Sequence, residues 1–424
     1  MVSPSPGAVA IVNADYVGRN GLKLTRRAYR DTDRIRMKTS QLLIVGAGVF
    51  GASAALELAQ RGHAVTLVDP GPLPHPRASS TDISKMVRAD YGSDLFYTRL
   101  AREAIAGWRR WNAESGQTLY HETGFLILTG QAMQPGEFEY DSRETLQSLG
   151  QQVERMNGAS LQKRFPIWNP AAFPDGYYNP SAGWAASANV VQWLLECARK
   201  AGVVLRQGET MQALLMNGTR VTGIRTDAGD ELRADAVIVA AGAWTPTLLP
   251  WMQEAVKCVG QSVYYLQPDH PERYLAERFP PWAADISNTG WYGFPVQPDG
   301  TLKIANHGAG IPADARYDTT VPAELDEALR GFLEKTFPEL ATTPIKSRRL
   351  CFYCDSWDGN FWFDHDPERE GLFVATGGSG HGFKFAPMIG QLIADRFEGK
   401  ANEWASRFRW REIGEAQAEA ARKK

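Results

Sequence analysis

Apolar residues fall into two rhythms along the chain. Leu42-Leu43-Ile44-Val45, Val65-Thr66-Leu67-Val68, Ala236–Ala241 and Leu372–Ala375 are short, nearly unbroken apolar runs. Such runs predict strands buried on both faces in a parallel sheet. Between them the period lengthens. From Val49 to Arg61 the residues Ala54, Ala55, Leu56, Leu58 and Ala59 recur at helical spacing, and Gly62 marks the stop. A longer amphipathic helix is predicted over Asp94–Ser115, with Phe96, Leu100, Ala104 and Trp108 on one face. Another runs from Val190 to Ala201 into Val203-Val204-Leu205, and a further one spans Ala323–Thr336. Thr123–Leu128 and Leu302–Ile304 read as strands, while Val221–Ile224 and Glu231–Arg233 flank a turn at Ala228-Gly229. The polar, Ala/Glu-rich stretch from Phe408 reads as a solvated helix. No internal repeat interrupts this order.

Alternating strands and helices over 424 residues predict more than one domain. Composition then removes several classes of function. A net charge of -2 provides no broad basic field for nucleic acid or anionic lipid. No apolar run approaches the roughly 18 residues that a membrane span needs, so neither a nucleic-acid nor a membrane partner is expected. The four cysteines, Cys197, Cys258, Cys351 and Cys354, are too few for a disulfide scaffold, and a reducing cytoplasm is the expected setting. Thirteen Trp within an aromatic share of 11% suit a large core or a pocket that stacks against a flat ring.

Residues 1–38 stand apart. They lack a hydrophobic period and carry Arg19, Lys23, Arg26, Arg27, Arg30, Arg34 and Arg36, broken by Asp15, Asp31 and Asp33. No apolar core of a secretory signal lies among them. They read as a disordered, solvated lead-in, with Met37 as a possible alternative start.

The first candidate chemistry lies at the end of the first strand. Gly46-Ala47-Gly48-Val49-Phe50-Gly51 is a G-x-G-x-x-G between strand and helix. Gly46 permits the tight turn, Gly48 admits a pyrophosphate to the backbone, and Gly51 lets helix and strand touch. The phosphates would rest on the unpaired N–H groups at the helix start. Asp69 ends the next strand, where a carboxylate can accept from ribose hydroxyls. A glycine triplet alone is weak; strand, triplet, helix, strand and terminal acid in order are a dinucleotide fingerprint. It leaves open whether the nucleotide is NAD or FAD. Cys351 and Cys354, by spacing alone, admit a redox dithiol or half a zinc site. Neither a second cysteine pair nor a thioredoxin-like context accompanies them, and no metal is expected.

The second half of the chain carries a more specific pattern. Cys351-Phe352-Tyr353-Cys354, then Phe363-Asp364-His365-Asp366-Pro367, then Gly377-Gly378-Ser379-Gly380-His381-Gly382-Phe383-Lys384 follow in order. This run resembles the C-terminal signature of the monomeric sarcosine oxidase family of FAD-dependent amine oxidases in the DAO superfamily. That family includes pipecolate oxidases and fructosyl amino acid oxidases. Tyr292-Gly293-Phe294-Pro295, the pair Lys303 and His307, and Ala241-Gly242-Ala243-Trp244 are similar too, so the resemblance runs from about Ser40 to Lys400.

The resemblance implies an α/β fold. A Rossmann-type, glutathione-reductase-like FAD domain would be assembled from residues 39–117, 185–252 and 346–424. A second α+β substrate domain, built on a mixed or antiparallel sheet, would use residues 118–184 and 253–345. It further implies that Cys351 bears the flavin covalently and that Lys303 activates oxygen. Arg88 and Lys384 match the cations that bind a substrate carboxylate; Tyr292, Tyr353 and His307 match pocket residues. Ser84, Lys85, Gly380, His381, Gly382, Phe383 and Lys384 would meet the flavin, and Val49 and Phe50 the phosphates, through the glycine turn.

Two positions depart from the sarcosine oxidases. Lys85 stands where they carry arginine, and Ser84 where they carry threonine. Asp82-Ile83-Ser84-Lys85 is closer to the fructosyl amino acid oxidases, yet those have an acid where this chain has His307. The expected activity is oxidation of the C–N bond of an N-substituted or cyclic amino acid, with O2 reduced to H2O2. The expected partners are that small amine and O2, with the enzyme a monomer or weak homodimer. A fructosyl amino acid oxidase is the nearest rival, followed by a dehydrogenase passing electrons to another acceptor. A flavoprotein acting on tRNA or a protein partner fits the charge less well.

Overall fold

The computed structural model describes residues 40–317 and 320–417. The lead-in and Met37 lie outside the described residues. The four apolar runs become Gln41–Val45, Ala64–Asp69, Ala236–Val239 and Leu372–Thr376, neighbours in one six-stranded sheet. Their registers set Ile44 beside Leu67 on one side and Ile238 on the other, an apolar ladder covered on both faces. Val204–Gln207 adds a parallel edge, and Trp362–His365 closes the other edge antiparallel.

The helix Val49–Gln60 packs against the helices Ser187–Lys200 and Ala386–Phe397. A Cβ on Gly390 would lie 2.6 Å from the Ser53 carbonyl oxygen, so only glycine permits that approach. The predicted amphipathic helix appears as Leu95–Ser115, capped by the Asp94 carboxylate, which accepts from the Tyr97 N–H. Its buried face carries Leu100, Ala104 and Trp108.

A nine-stranded sheet forms the second layer of architecture. Its strands are antiparallel to their neighbours except where Trp282–Ala284 runs parallel to Phe125–Thr129. Its longest pair is Val256–Leu266 with Ile345–Ser356, which sets Gln261 opposite Cys351 and Val263 opposite Arg349. Leu302–Asn306 lies on the other side of Val256–Leu266, with Lys303 opposite Tyr265. One face packs Trp168, Trp282, Phe279 and Phe337 against the helix Ala323–Thr336. A short sheet of Lys85–Val87, Gly183–Ala185 and Tyr120–His121 carries the Lys85 segment.

One expectation is corrected. Residues 409–417 form no helix; a short 3-10 turn, Ala405–Phe408, precedes them. Phe408 is fully buried among Phe96, Phe361 and Phe363. The chain beyond it is held extended: Trp410 N–H donates to Asp364, Arg411 grips Asp358 through two nitrogens, and Gln417 N–H donates to the Trp357 carbonyl. Polar composition marked the segment as solvated, but tertiary partners for its backbone outweigh a helical propensity worth only tenths of a kcal/mol per residue. The remaining C-terminal residues lie outside the described ones.

Candidate active site

The glycine turn is built as its spacing demands. Gly46 adopts φ +101, and its N–H donates to the Val68 carbonyl at 2.8 Å. A Cβ there would approach the Ala240 oxygen to 2.6 Å, and one on Gly51 would lie 1.8 Å from the Gly46 oxygen. Gly48 caps the helix with no side-chain hydrogen bond, and the first turn carries no acid. The helix start therefore offers its N–H groups and positive dipole end to an anion. Ser80 Oγ takes one of them, accepting from Val49 N–H at 3.2 Å. Asp69, buried, accepts from the Ala47 N–H and the Gly71 N–H, each at 2.8 Å. It thus clamps the turn to the second strand, and a carboxylate retains further lone pairs for a ribose hydroxyl.

All the catalytic and substrate-binding candidates except Lys303 converge on one cavity. Lys85, Arg88, Tyr292, His307, Tyr353 and Lys384 line it, together with Gly380, His381 and Phe383. No acidic side chain is among the lining residues. Apolar side chains complete the lining: Phe125, Ile127, Phe138, Ala283 and Ile286. Arg88 is held by aromatic rings, with Tyr91, Phe125 and Phe138 centroids 5.5–5.8 Å from its guanidinium carbon. It also donates to the Asp90 carbonyl. The Asp90 carboxylate, fully buried behind it, accepts from Tyr177 OH at 2.6 Å and Asn179 Nδ2 at 3.1 Å.

Lys384 Nζ donates to Tyr91 OH at 2.9 Å and to the His381 carbonyl at 3.1 Å. His381 Nε2 lies 3.0 Å from the Gly359 carbonyl oxygen, which can only accept, so the ring proton is on Nε2. Nδ1 is then the acceptor for Tyr91 OH at 3.0 Å. Lysine, tyrosine and histidine form one directed chain that fixes the Lys384 ammonium at the cavity wall. Tyr91 escaped the sequence reading; its position three residues after Arg88 was the available signal.

Beside the cavity is a cluster of buried charge. Lys303 has 0% exposure; its Nζ donates to Asp82 Oδ2 at 2.7 Å and to the Ser84 carbonyl at 2.6 Å, with the Phe294 ring centroid 4.7 Å away. It does not line the cavity among the described residues. Lys85 Nζ lies 3.6 Å from the same carboxylate oxygen and donates to Cys351 Sγ at 3.5 Å. Tyr265 OH donates to Asp82 Oδ1 at 2.8 Å. Arg349 donates to the carbonyls of Pro76 and Thr81, pinning the preceding loop to the strand that carries Cys351.

The electrostatics follow from this crowding. Burial acts to raise the Asp82 pKa, but Lys303, Lys85 and Arg349 hold it well below the usual carboxylate range. Burial lowers Lys303 to about 8, although Asp82 pulls upward; Lys85 adds to the fall. Burial also acts to lower Lys85, and Cys351, Asp82 and Tyr292 more than offset it, leaving its pKa raised. Burial pushes the Tyr292 phenol up to about 12, so it is a neutral hydroxyl at working pH.

Cys351 and Cys354 lie on one strand three residues apart, and so point to opposite faces. Cys351 packs with Val263, Ala305 and Tyr353, and Cys354 with Val239 and Val374 on the other side. Among the described residues no group of three metal-ligating side chains gathers. That geometry disfavours the dithiol and the zinc readings.

Several features fit a flavin dinucleotide. The turn leaves room only for a backbone without side chains, and the Ser84 hydroxyl is buried without a hydrogen-bond partner among the described residues. An orphaned buried hydroxyl next to Lys85 is what a ring with hydrogen-bonding edges would satisfy. Gly380 presents its backbone to the same cavity, where a Cβ would strike the Tyr353 ring at 2.3 Å.

Comparison with known proteins agrees with this geometry. Residues 41–396 match the family model described as FAD dependent oxidoreductase. The L-saccharopine oxidase of Schizosaccharomyces pombe is 29% identical over 415 residues, covering 88% of this chain and 94% of that protein. The monomeric sarcosine oxidase of Bacillus sp. (strain B-0618) is 27% identical over 361 residues, covering 83% and 90%. The solved structure of fructosamine oxidase (Amadoriase II) from Aspergillus fumigatus superposes with a TM-score of 0.77 at 25% identity, over 88% and 89% of the two chains. With the family model matched from the first strand to the helix Ala386–Phe397, the chain belongs to the FAD dependent oxidoreductase (DAO) family.

Proposed function

We propose that this enzyme oxidises the C–N bond of an N-substituted or cyclic amino acid and reduces O2 to H2O2. The observation that carries the reading is the cavity itself: Arg88 and Lys384, with Lys85 as a third lining cation, no lining acid, and a remainder that is largely apolar. A carboxylate fits a bidentate guanidinium with an ammonium beside it. Bound FAD supplies the two-electron acceptor for the hydride equivalent leaving the carbon next to nitrogen. The residues of the chain bind, orient and polarise. Arg88 and Lys384 anchor the carboxylate, and the wall of Phe125, Ile127, Phe138, Ala283 and Ile286 excludes water from the rest of the substrate. The imine product hydrolyses to a carbonyl compound and an amine. Lys303 and Lys85 provide the positive charge that stabilises oxygen as it accepts electrons.

The same wall bears on the rival substrate. A fructosyl group placed against it would leave hydroxyls without partners, at a cost of about 1–3 kcal/mol for each buried one. His307, in place of an acid, removes one acceptor for a sugar amine. We therefore place apolar N-alkyl and cyclic amino acids ahead of fructosyl amino acids. The test is a peroxide-coupled panel of sarcosine, pipecolate, apolar N-methyl amino acids, opines and fructosyl amino acids. Turnover without peroxide would point to a dehydrogenase, and a kcat/KM highest for fructosyl substrates would reverse the order.

The proposal extends to the flavin bond and the division of labour. Lys85 and Arg349 place positive charge beside Cys351 Sγ, where a thiolate would add to an electron-poor ring. Acid-precipitated enzyme should stay yellow, Cys351→Ser should release its FAD, and Cys354→Ser should not. The six-stranded sheet would carry the nucleotide and the nine-stranded sheet the substrate. Four cysteines with no disulfide among them accord with a cytoplasmic setting, and no described helix is long and apolar enough to cross a membrane.

A further inference from the structure

Asp82 has no part in the reaction as described so far, yet its carboxylate touches both lysines of the charged cluster. Oδ2 accepts from Lys303 Nζ at 2.7 Å and lies 3.6 Å from Lys85 Nζ, while Oδ1 accepts from Tyr265 OH at 2.8 Å. Its backbone is held separately, its carbonyl accepting from Ser187 Oγ and Ala188 N–H at 2.7 and 2.9 Å. Oδ1 also accepts from the Ile83 N–H at 2.7 Å, so the carboxylate steadies its own loop as well as meeting the two lysines. We infer that Asp82 is a positioning residue for the reaction with O2: it holds Lys303 at one place beside Lys85 and keeps that lysine protonated at working pH. The inference rests on the proposed role of Lys303.

The physical argument is one of isolation. Lys303 has no exposure, so water cannot solvate its charge. The groups facing the cluster are Lys85 from its short strand, Tyr265 from Val256–Leu266, Tyr292 from Trp291–Gly293, and Arg349 and Cys351 from Ile345–Ser356. Lys85 and Arg349 are cations, and Tyr265 already donates its proton to Asp82. Asp82 is the only carboxylate in that group. Without its charge, burial and Lys85 would act on Lys303 in the same direction, toward loss of its proton. The Ser84 carbonyl would still accept a hydrogen bond, but from a neutral amine it would get one without charge.

Asp82→Asn keeps shape and an acceptor oxygen while deleting the charge. The first readout needs no turnover: NMR titration of 13C-labelled lysine side chains, with Lys303→Met identifying the Lys303 signal. Lys303 should titrate near 8 in the wild type, and roughly 1–3 pH units lower in Asp82→Asn. Stopped-flow reoxidation of the reduced holoenzyme should follow the same curve, fast below the midpoint and slow above it. Asp82→Asn would then be slow at pH 8 and recover as the pH is lowered, with KM for the amine little changed. An unmoved Lys303 midpoint in Asp82→Asn overturns the inference. If that variant does not accumulate with flavin, Asp82→Glu takes its place: the midpoint should remain near the wild type while the displaced lysine slows reoxidation at every pH. A wild-type rate in Asp82→Glu overturns the positioning claim. Lys303→Met separates the two ideas: normal reoxidation there removes the role of Lys303 itself, whereas slow reoxidation there with an unperturbed Asp82→Asn removes only that of Asp82.

Discussion

The nucleotide turn and the charged cluster beside the cavity are built on opposite principles. The turn uses backbone: Gly46, Gly48 and Gly51 lie within six residues, and their job is to have no side chain. The cluster uses side chains from the Asp82–Lys85 segment and three strands far apart in sequence, with Asp82 and Lys303 separated by 221 positions. In the turn many N–H groups share the work. In the cluster a single ammonium or carboxylate changes the local charge by a whole unit in a place water does not reach. The expectation is that the cluster is fragile to single substitutions and the turn is tolerant, apart from its glycines.

The strongest test of that contrast is Lys303→Met, which keeps the stem and deletes the charge. Loss of one preorganised charge should slow reoxidation by about two to three orders of magnitude, equivalent to roughly 3–4 kcal/mol. Anaerobic reduction by substrate, in which little net charge builds near that lysine, should change far less. Stopped-flow mixing with O2 reads the first and flavin bleaching the second; equal effects on both would erase the distinction between the two half-reactions.

A middle effect is expected at the cavity wall. Lys384→Ala removes a charge-assisted contact worth about 1.5–3 kcal/mol, so kcat/KM should fall by roughly one to two orders of magnitude for amino acid substrates. Amines without a carboxylate should lose less. Because Lys384 also donates to Tyr91, part of the loss would come from a loosened Tyr91–His381 pair, and Tyr91→Phe measures that part. A loss of the same size on both kinds of amine would show that Lys384 is not half of a carboxylate clamp.

The smallest effect belongs to the turn. Ser80→Ala strips the hydroxyl that takes the Val49 N–H. The freed donor lies at a helix start where water or a phosphate oxygen can take it, so the cost should be about 0.5–1.5 kcal/mol. FAD release from the Cys351→Ser background, where binding is reversible under the proposal, would show it as a several-fold weaker Kd. A loss approaching that of Lys303→Met would mean the turn is not the distributed site described above.

These differences mirror what could be read in advance. The parallel strands, the helix Val49–Gln60 and the boundaries Ala323–Thr336 were legible because apolar runs and helical spacing report local burial. The strands Val256–Leu266 and Ile345–Ser356 were not singled out, since exposed and buried residues mix along both as they pass from the sheet edge into the core. The C-terminal segment misled for a related reason: its polar composition describes side chains, whereas its path is set by partners at Asp358, Asp364 and Trp357. The candidates Arg88, Lys384, Lys303 and Cys351 rest on family resemblance rather than on periodicity. Asp82, Tyr91, Tyr265 and Arg349 were not assigned roles at all, because an aspartate in a loop or a tyrosine on a strand is ordinary until its neighbours are known.

By itself the sequence determined the dinucleotide turn and the alternating α/β order, because steric need for glycine and the periods of burial act over a few residues; the cationic candidates came from the resemblance of its motifs. Only the tertiary structure decided which charges meet. Pairing Lys303 with Asp82, turning Cys351 toward Lys85 and Cys354 away from it, and setting Arg88 among three rings all depend on strand register and on burial. A charge removed from water interacts with whatever the fold places within a few ångströms, and that distance is a property of the folded chain.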